Sequence, residues 1–216
     1  MNRVQAILWD NDGVLVDTER LFYAANRELL ADLGVELTPQ GFFDWYLLDN
    51  CGGWHLTGSP SAEQIEHWRS ERNRRYTALL QQARDLMMPG IDRLVAQLAR
   101  QVRMAIVTSA YRDHFDLIHR DLPLRHHFEF ILAAEDYQHS KPSPEPYLCA
   151  LQRLGLAAEQ CLVIEDSPRG LSAARAAGLR CIVLRHPLMA SHDFAGAEAV
   201  VDSVAELGAA LQARVA

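Results

Sequence analysis

The chain has 216 residues, of which 49% are hydrophobic and 23% charged, and its formal net charge is −7 at pH 7. That length can bury a substantial core, as one large domain or as a core with a smaller insert, and the acidic balance argues against a nucleic-acid or anionic-membrane partner. No apolar run approaches the roughly 20 residues that span a bilayer, and no basic segment followed by a long apolar one opens the chain, so a cytoplasmic protein is expected.

The first strand is expected over residues 4–9. It runs into Asp10-Asn11-Asp12-Gly13, two carboxylates separated by one residue. Side chains alternate along a strand, so Asp10 and Asp12 are expected on one side and Asn11 on the other. Two such charges about 4 Å apart repel by roughly 4 kcal/mol at an effective dielectric of 20. A cation, a proton or an electrophile would offset that repulsion. A solvated turn is the other reading of this run taken alone.

An amphipathic helix follows over residues 19–33, with Leu21, Phe22, Ala25, Leu29 and Leu33 at helical spacing and Gly34 as its stop. Thr38-Pro39 reads as a cap and first-turn proline for a short helix carrying Phe42, Phe43, Trp45, Tyr46 and Leu47, an aromatic group expected to form a small helical core. Residues 50–60, from Asn50 through Gly52-Gly53 to Pro60, break all periodicity and read as a loop. A third helix is expected over 61–82; its Arg69, Arg72, Arg74 and Arg75 are interleaved with Glu66 and Glu71, as on a solvated face.

Beyond Met88-Pro89-Gly90 the pattern changes to regular alternation. Helices are expected over 91–100, 113–120, 144–154, 169–177 and 204–214. Strands are expected over 102–107, 130–133, 161–164 and 180–184, with an edge strand at Val200-Val201. This order predicts an α/β fold: a Rossmann-like parallel sheet with right-handed crossovers and helices on both faces, plus a small all-helical insert. The core is expected to comprise residues 1–16 and 86–216, and the insert residues 17–85.

The four cysteines, Cys51, Cys149, Cys161 and Cys181, are too scattered for a disulfide framework or a zinc site and are expected to be buried, reduced thiols. The nine histidines include one adjacent pair, His126-His127, and no His-Glu-x-x-His, so they are expected to serve on the surface and in packing.

In an open parallel sheet, ligands gather beyond the carboxyl ends of the strands. Here those ends read Asp10-Asn11-Asp12, then Thr108-Ser109, then a stiff loop His139-Ser140-Lys141-Pro142-Ser143-Pro144, then Glu165-Asp166-Ser167-Pro168. Carboxylates, hydroxyls and one ammonium on a single rim are the parts that phosphoryl transfer uses: a nucleophile, a proton shuttle, a metal holder and groups for the transferring oxygens.

The apolar-Asp-x-Asp-Gly-Val-x-x-Asp-Thr-Glu start, the apolar-Thr-Ser strand end, the Ser-Lys-Pro-x-Pro-x-x-Tyr loop and the Ile-Glu-Asp-Ser-x-x-Gly-x-x-Ala-Ala-x-x-Ala-Gly run resemble, in order, the four motifs of the haloacid dehalogenase-like superfamily. The resemblance covers almost the whole chain. It implies that Asp10 is a nucleophile and that Asp12 exchanges the proton of the leaving group and of water. It also implies that Thr108, Ser109 and Lys141 hold phosphoryl oxygens. Magnesium is expected on Asp10, on the backbone carbonyl of Asp12 and on Asp166, with Glu165 acting partly through water. The insert is expected to be a mobile cap that closes over a small phosphorylated metabolite, such as a sugar or polyol phosphate.

Dehalogenases and phosphonate-cleaving members of the superfamily usually lack the second aspartate, so Asp12 implies phosphate-ester chemistry. Beta-phosphoglucomutases share the core motifs and have a histidine soon after the first. Here that stretch is Glu19-Arg20-Leu21-Phe22, which favours hydrolysis over mutase chemistry. A binding protein that keeps the fold without catalysis is a third reading; neither nucleic acid nor membrane is expected as a partner. Arg112, Arg169 and the loop over 50–60 are candidates for substrate contact.

Overall fold

A computed structural model of the chain describes residues 3–49, 51–190 and 192–215. In chain order its elements are β1 (Ala6–Trp9), α1 (Glu19–Asp32), α2 (Pro39–Phe42), α3 (Ala62–Gln82), α4 (Ile91–Leu98), β2 (Arg103–Val107), α5 (Arg112–His119), β3 (Phe130–Leu132), α6 (Glu145–Leu154), β4 (Cys161–Glu165), α7 (Pro168–Ala176), β5 (Arg180–Leu184), β6 (Ala199–Val201) and α8 (Val204–Val215). The chain divides into two compact units, Met1–Asp17 with Met87–Ala216, and Thr18–Leu86.

The first unit is built on a six-stranded sheet in the order β3-β2-β1-β4-β5-β6, every pair parallel, with helices on both faces. Ala6, Ile7, Leu8 and Trp9 of β1 are all fully buried, as expected of a central strand covered on both sides. Burying each of the larger three is worth about 1.5–3 kcal/mol, so β1 anchors the sheet. The strand order reverses between β1 and β4, and at such a switch point the following loops part and leave a crevice.

After Trp9 the chain does not continue as a strand. The carbonyl of Asn11 accepts the amides of Val14, Leu15 and Val16 at 3.3, 2.8 and 3.1 Å, and Gly13 donates to the Val16 carbonyl at 2.8 Å. Val16 forms an antiparallel bridge with Met87, and the Met88 amide donates to the Leu15 carbonyl at 3.0 Å. The chain thus leaves the first unit and re-enters it at paired residues.

In the second unit α1 packs against α3. Phe22 meets Phe42, Tyr46 and Tyr76 edge to face, and Phe42 stacks on Tyr46, so the aromatic group is a helical core. Thr38 caps α2 by accepting the Gly41 amide at 3.1 Å, and Ser61 and Gln64 form a reciprocal capping box on α3. α2 runs on into a π-helical stretch over Phe43–Leu48. Arg74 and Arg75 pair with Glu71, and Arg75 also with Asp32, as on a solvated helix face.

Two expectations are modified here. Asn50 lies outside the described residues, and the stretch read as aperiodic folds in part into a 3₁₀ turn over Gly53–Thr57 that buries Trp54 against Trp68. Cys51, expected to be buried, is exposed, since it lies before the 3₁₀ turn rather than in a packed element; Cys161 and Cys181 are buried and Cys149 is half-buried, all four as free thiols. Among the described residues no helix is long and apolar enough to cross a membrane.

Candidate active site

The carboxyl ends of β1, β2 and β4 bring Asp10, Asp12, Thr108, Glu165 and Asp166 to one rim of the sheet, and the loop before α6 adds Lys141. That loop is held by Glu145, whose carboxylate accepts the amides of Gln138 and His139 at 2.7 and 2.9 Å. It delivers Lys141 into a buried position, only 4% exposed, where its ammonium reaches Asp10 Oδ1 at 2.7 Å, Glu165 Oε1 at 2.7 Å and the Val107 carbonyl at 2.8 Å. An ammonium has three protons, and all three are used by the protein. Lys141 therefore orients Asp10 first, and contact with a phosphoryl oxygen requires one of these bonds to be shared.

Glu165 is equally engaged. Its Oε1 also accepts the Tyr147 hydroxyl at 2.5 Å, while Oε2 accepts the Asp166 amide and the Ser167 hydroxyl, each at 3.3 Å. A carboxylate offers about four lone-pair sites, and here four donors face them. Close packing enforces this: a Cβ on Gly170 would sit 1.9 Å from the Glu165 carboxylate, so only glycine lets the first turn of α7 approach. At Gly13, with φ of 77°, a Cβ would meet Asp166 Oδ2 at 2.0 Å.

Asp10, Glu165 and Asp166 are all buried and offer oxygens within 4.8 Å of one another. Burial, then the charge of Glu165, raises the pKa of Asp10 to about 7, against the opposing pull of Lys141. For Lys141 burial works downward, but the carboxylates of Asp10 and Glu165 outweigh it and hold the ammonium above its ordinary pKa. The clustered oxygens of Asp10 and Asp166, with the already engaged Glu165 beside them, are hard donors that fit a small divalent cation such as magnesium, whose charge would keep Asp10 ionised.

Asp12 lies apart from that group. Its Oδ2 accepts the Thr108 hydroxyl and the Asn11 side-chain amide, each at 3.3 Å. Asn11 thus does not point away from Asp12 as strand alternation predicts, because the chain turns at this point rather than extending. Ser109 is exposed at the rim, with Tyr137 beside it donating to the Thr108 carbonyl at 2.8 Å. Arg112 is tied to Asp136 and Glu135, whereas Arg169 donates to the Lys141 carbonyl at 3.5 Å.

Sequence reasoning gave no role to Tyr147 or His119. Tyr147 had a signal, since it closes the Lys-Pro-x-Pro-x-x-Tyr run one turn into α6. His119 had none. It ends α5, 108 residues from the Asn11 it bonds.

The haloacid dehalogenase-like hydrolase family matches residues 7–184. The chain belongs to this family. It is 34% identical to the protein CbbY of Cereibacter sphaeroides, over 95% of this chain and 94% of that one. It is 29% identical to the fructose-1-phosphate phosphatase YqaB of Escherichia coli, over 85% of this chain and 97% of the phosphatase. Among solved structures, an aspartate-to-asparagine variant of CbbY from Rhodobacter sphaeroides in complex with xylulose-1,5-bisphosphate superposes with a TM-score of 0.75 at 32% identity, over 95% of this chain and 96% of that one. The parallel sheet and the order of the motifs are those of a haloacid dehalogenase-like enzyme.

Proposed function

We propose that this chain is a magnesium-dependent phosphatase that hydrolyses a small phosphorylated sugar or polyol through an aspartyl phosphate. The observation that carries the reading is the buried Lys141–Asp10 pair at 2.7 Å, with a second aspartate, Asp12, on the same loop, whose Oδ2 accepts from Thr108 and Asn11. In this reading one carboxylate is held for attack and the other serves proton transfer.

In this reading the chain is a phosphoric monoester hydrolase. An Asp10 oxygen attacks phosphorus; the P–O bond to the sugar breaks, and Asp12 gives its proton to the departing oxygen. Asp12 then takes a proton from water, the hydroxide attacks phosphorus, and the acyl phosphate on Asp10 breaks to release inorganic phosphate. Lys141 holds Asp10 in line and offsets the carboxylates around it, while Thr108 and Ser109 face the transferring oxygens. Asp10, the Asp12 carbonyl and Asp166 would hold magnesium, with Glu165 behind them; the cation would supply charge stabilisation for the phosphoryl group. Substrate choice is assigned to the unit Thr18–Leu86.

The sugar-phosphate class is supported by the relatives, one named for fructose 1-phosphate and one solved with xylulose-1,5-bisphosphate. The test is magnesium-dependent phosphate release from p-nitrophenyl phosphate and from a panel of sugar and polyol phosphates. Asp10→Asn is expected to abolish both turnover and trapping of a phosphoenzyme. Near-normal turnover by that variant would remove Asp10 as nucleophile, and inactivity of the wild type on every ester would favour a binding protein.

A further inference from the structure

Behind Asp12 stand two buried residues that the reaction above does not use. His119 Nε2 lies 2.7 Å from Asn11 Oδ1, and the Asn11 amide nitrogen lies 3.3 Å from Asp12 Oδ2, the oxygen that also accepts the Thr108 hydroxyl. Asn11 is fully buried, and His119 is 5% exposed with its ring stacked on Phe115 at 4.2 Å between centroids.

The direction of these bonds follows from what each atom can do. His119 Nδ1 is buried and makes no hydrogen bond among the described residues. A proton there would be a buried donor without an acceptor, so the ring carries its proton on Nε2 and donates to Asn11 Oδ1. Burial, then the nearby Arg125, lowers the His119 pKa to about 4, which keeps the ring neutral and in that one tautomer at neutral pH. Turning the Asn11 amide over would set its oxygen against a carboxylate oxygen of Asp12. His119 and Asp12 therefore select the same amide orientation from opposite ends.

A merely structural pair is an inefficient use of this position. An apolar side chain next to Phe115 would fill the volume without burying two polar groups. We propose that Asn11 is a positioning residue for Asp12, held with its amide N–H toward the carboxylate by His119, so that Asp12 is fixed for proton transfer to the leaving oxygen. The inference rests on the reading of Asp12 as the acid of the first step.

The test compares an alkyl ester with an aryl one. A sugar alkoxide needs a proton to leave, whereas p-nitrophenolate leaves without one, and kcat/KM for both reports the transfer to Asp10 before water attacks. Asn11→Leu and His119→Phe are each expected to lower kcat/KM for the best sugar phosphate about tenfold, a fraction of what general acid catalysis supplies. Both should leave kcat/KM for p-nitrophenyl phosphate within about twofold of wild type, since that ester does not draw on the acid. The double variant should lose no more than either single one. His119→Gln, which keeps an N–H donor, should restore the sugar-phosphate rate, and this arm stands even if Asn11→Leu fails to fold.

Equal losses on both esters, or none on either, would overturn the positioning role. Asp12→Asn separates the two levels: if it retains sugar-phosphate turnover, the acid assignment itself falls and the positioning role with it. If it loses that turnover while Asn11→Leu shows no leaving-group dependence, only the positioning role is wrong.

Discussion

The Tyr147 hydroxyl donates to Glu165 Oε1 at 2.5 Å, and both side chains are fully shielded from solvent. Burial, followed by the charges of Glu165 and Asp10, holds the phenol well above its ordinary pKa, so Tyr147 is a donor throughout the working pH range. Tyr147→Phe keeps the ring under Lys141, 5.2 Å from its ammonium, and removes one of the four donors facing Glu165. The expected result is a loss of about 1–3 kcal/mol in stability, read as a lower urea midpoint at unchanged slope. An unchanged midpoint would show that the Glu165 oxygen is satisfied without the phenol.

Under the proposed function, magnesium activation is expected to separate Asp166 from Glu165. Asp166→Asn removes a charged oxygen from the three-carboxylate group and is expected to raise the magnesium concentration for half-activation by about tenfold or more. Glu165→Gln instead breaks the pairing with Lys141 and should act mainly on stability, because that carboxylate is already filled by protein donors. The check is a magnesium titration of phosphate release for both variants. Superimposable activation curves for Asp166→Asn and wild type would remove Asp166 from the metal site.

His119 imposes a pH dependence on folding. Its pKa is about 4 in the folded chain against an ordinary 6.5, with burial the first cause and Arg125 the second. Between those values the unfolded chain binds a proton that the folded chain does not, so acid favours unfolding. The stabilisation is complete above pH 6.5 and is lost as the pH falls toward 4. His119→Gln should flatten the plot of denaturant midpoint against pH in that window. Parallel plots for the variant and wild type would mean that the ring does not resist protonation.

The fold was legible because the sequence patterns of its two units differ. Alternating apolar strands and helices occur only outside residues 18–86, and the apolar run of β1 announces a strand buried on both faces. The candidate rim was legible because its carboxylates and hydroxyls end or closely follow such strands, and Lys141 stands just before Pro142 and Pro144. Contacts made through tertiary folding were not legible. Asn11 was placed by strand alternation, which ceases once its carbonyl gathers three amides into a turn. His119 looks like any packing histidine until α5 carries it to Asn11, and nothing local distinguishes it. Likewise, the sequence offers a lysine near the carboxylates but does not reveal that all three of its protons are already taken.

The bridge between Val16 and Met87, with the Leu15–Met88 bond beside it, makes the stretch between them a side branch off a closed circuit. Closing a longer or shorter branch costs only a logarithmic change in chain entropy, because its two ends are already stitched together by the sheet-bearing unit. No strand has to move when the branch changes. The junction is therefore a splice point: a lineage can exchange what is grafted there while Asp10, Lys141 and Glu165 keep the same mutual distances.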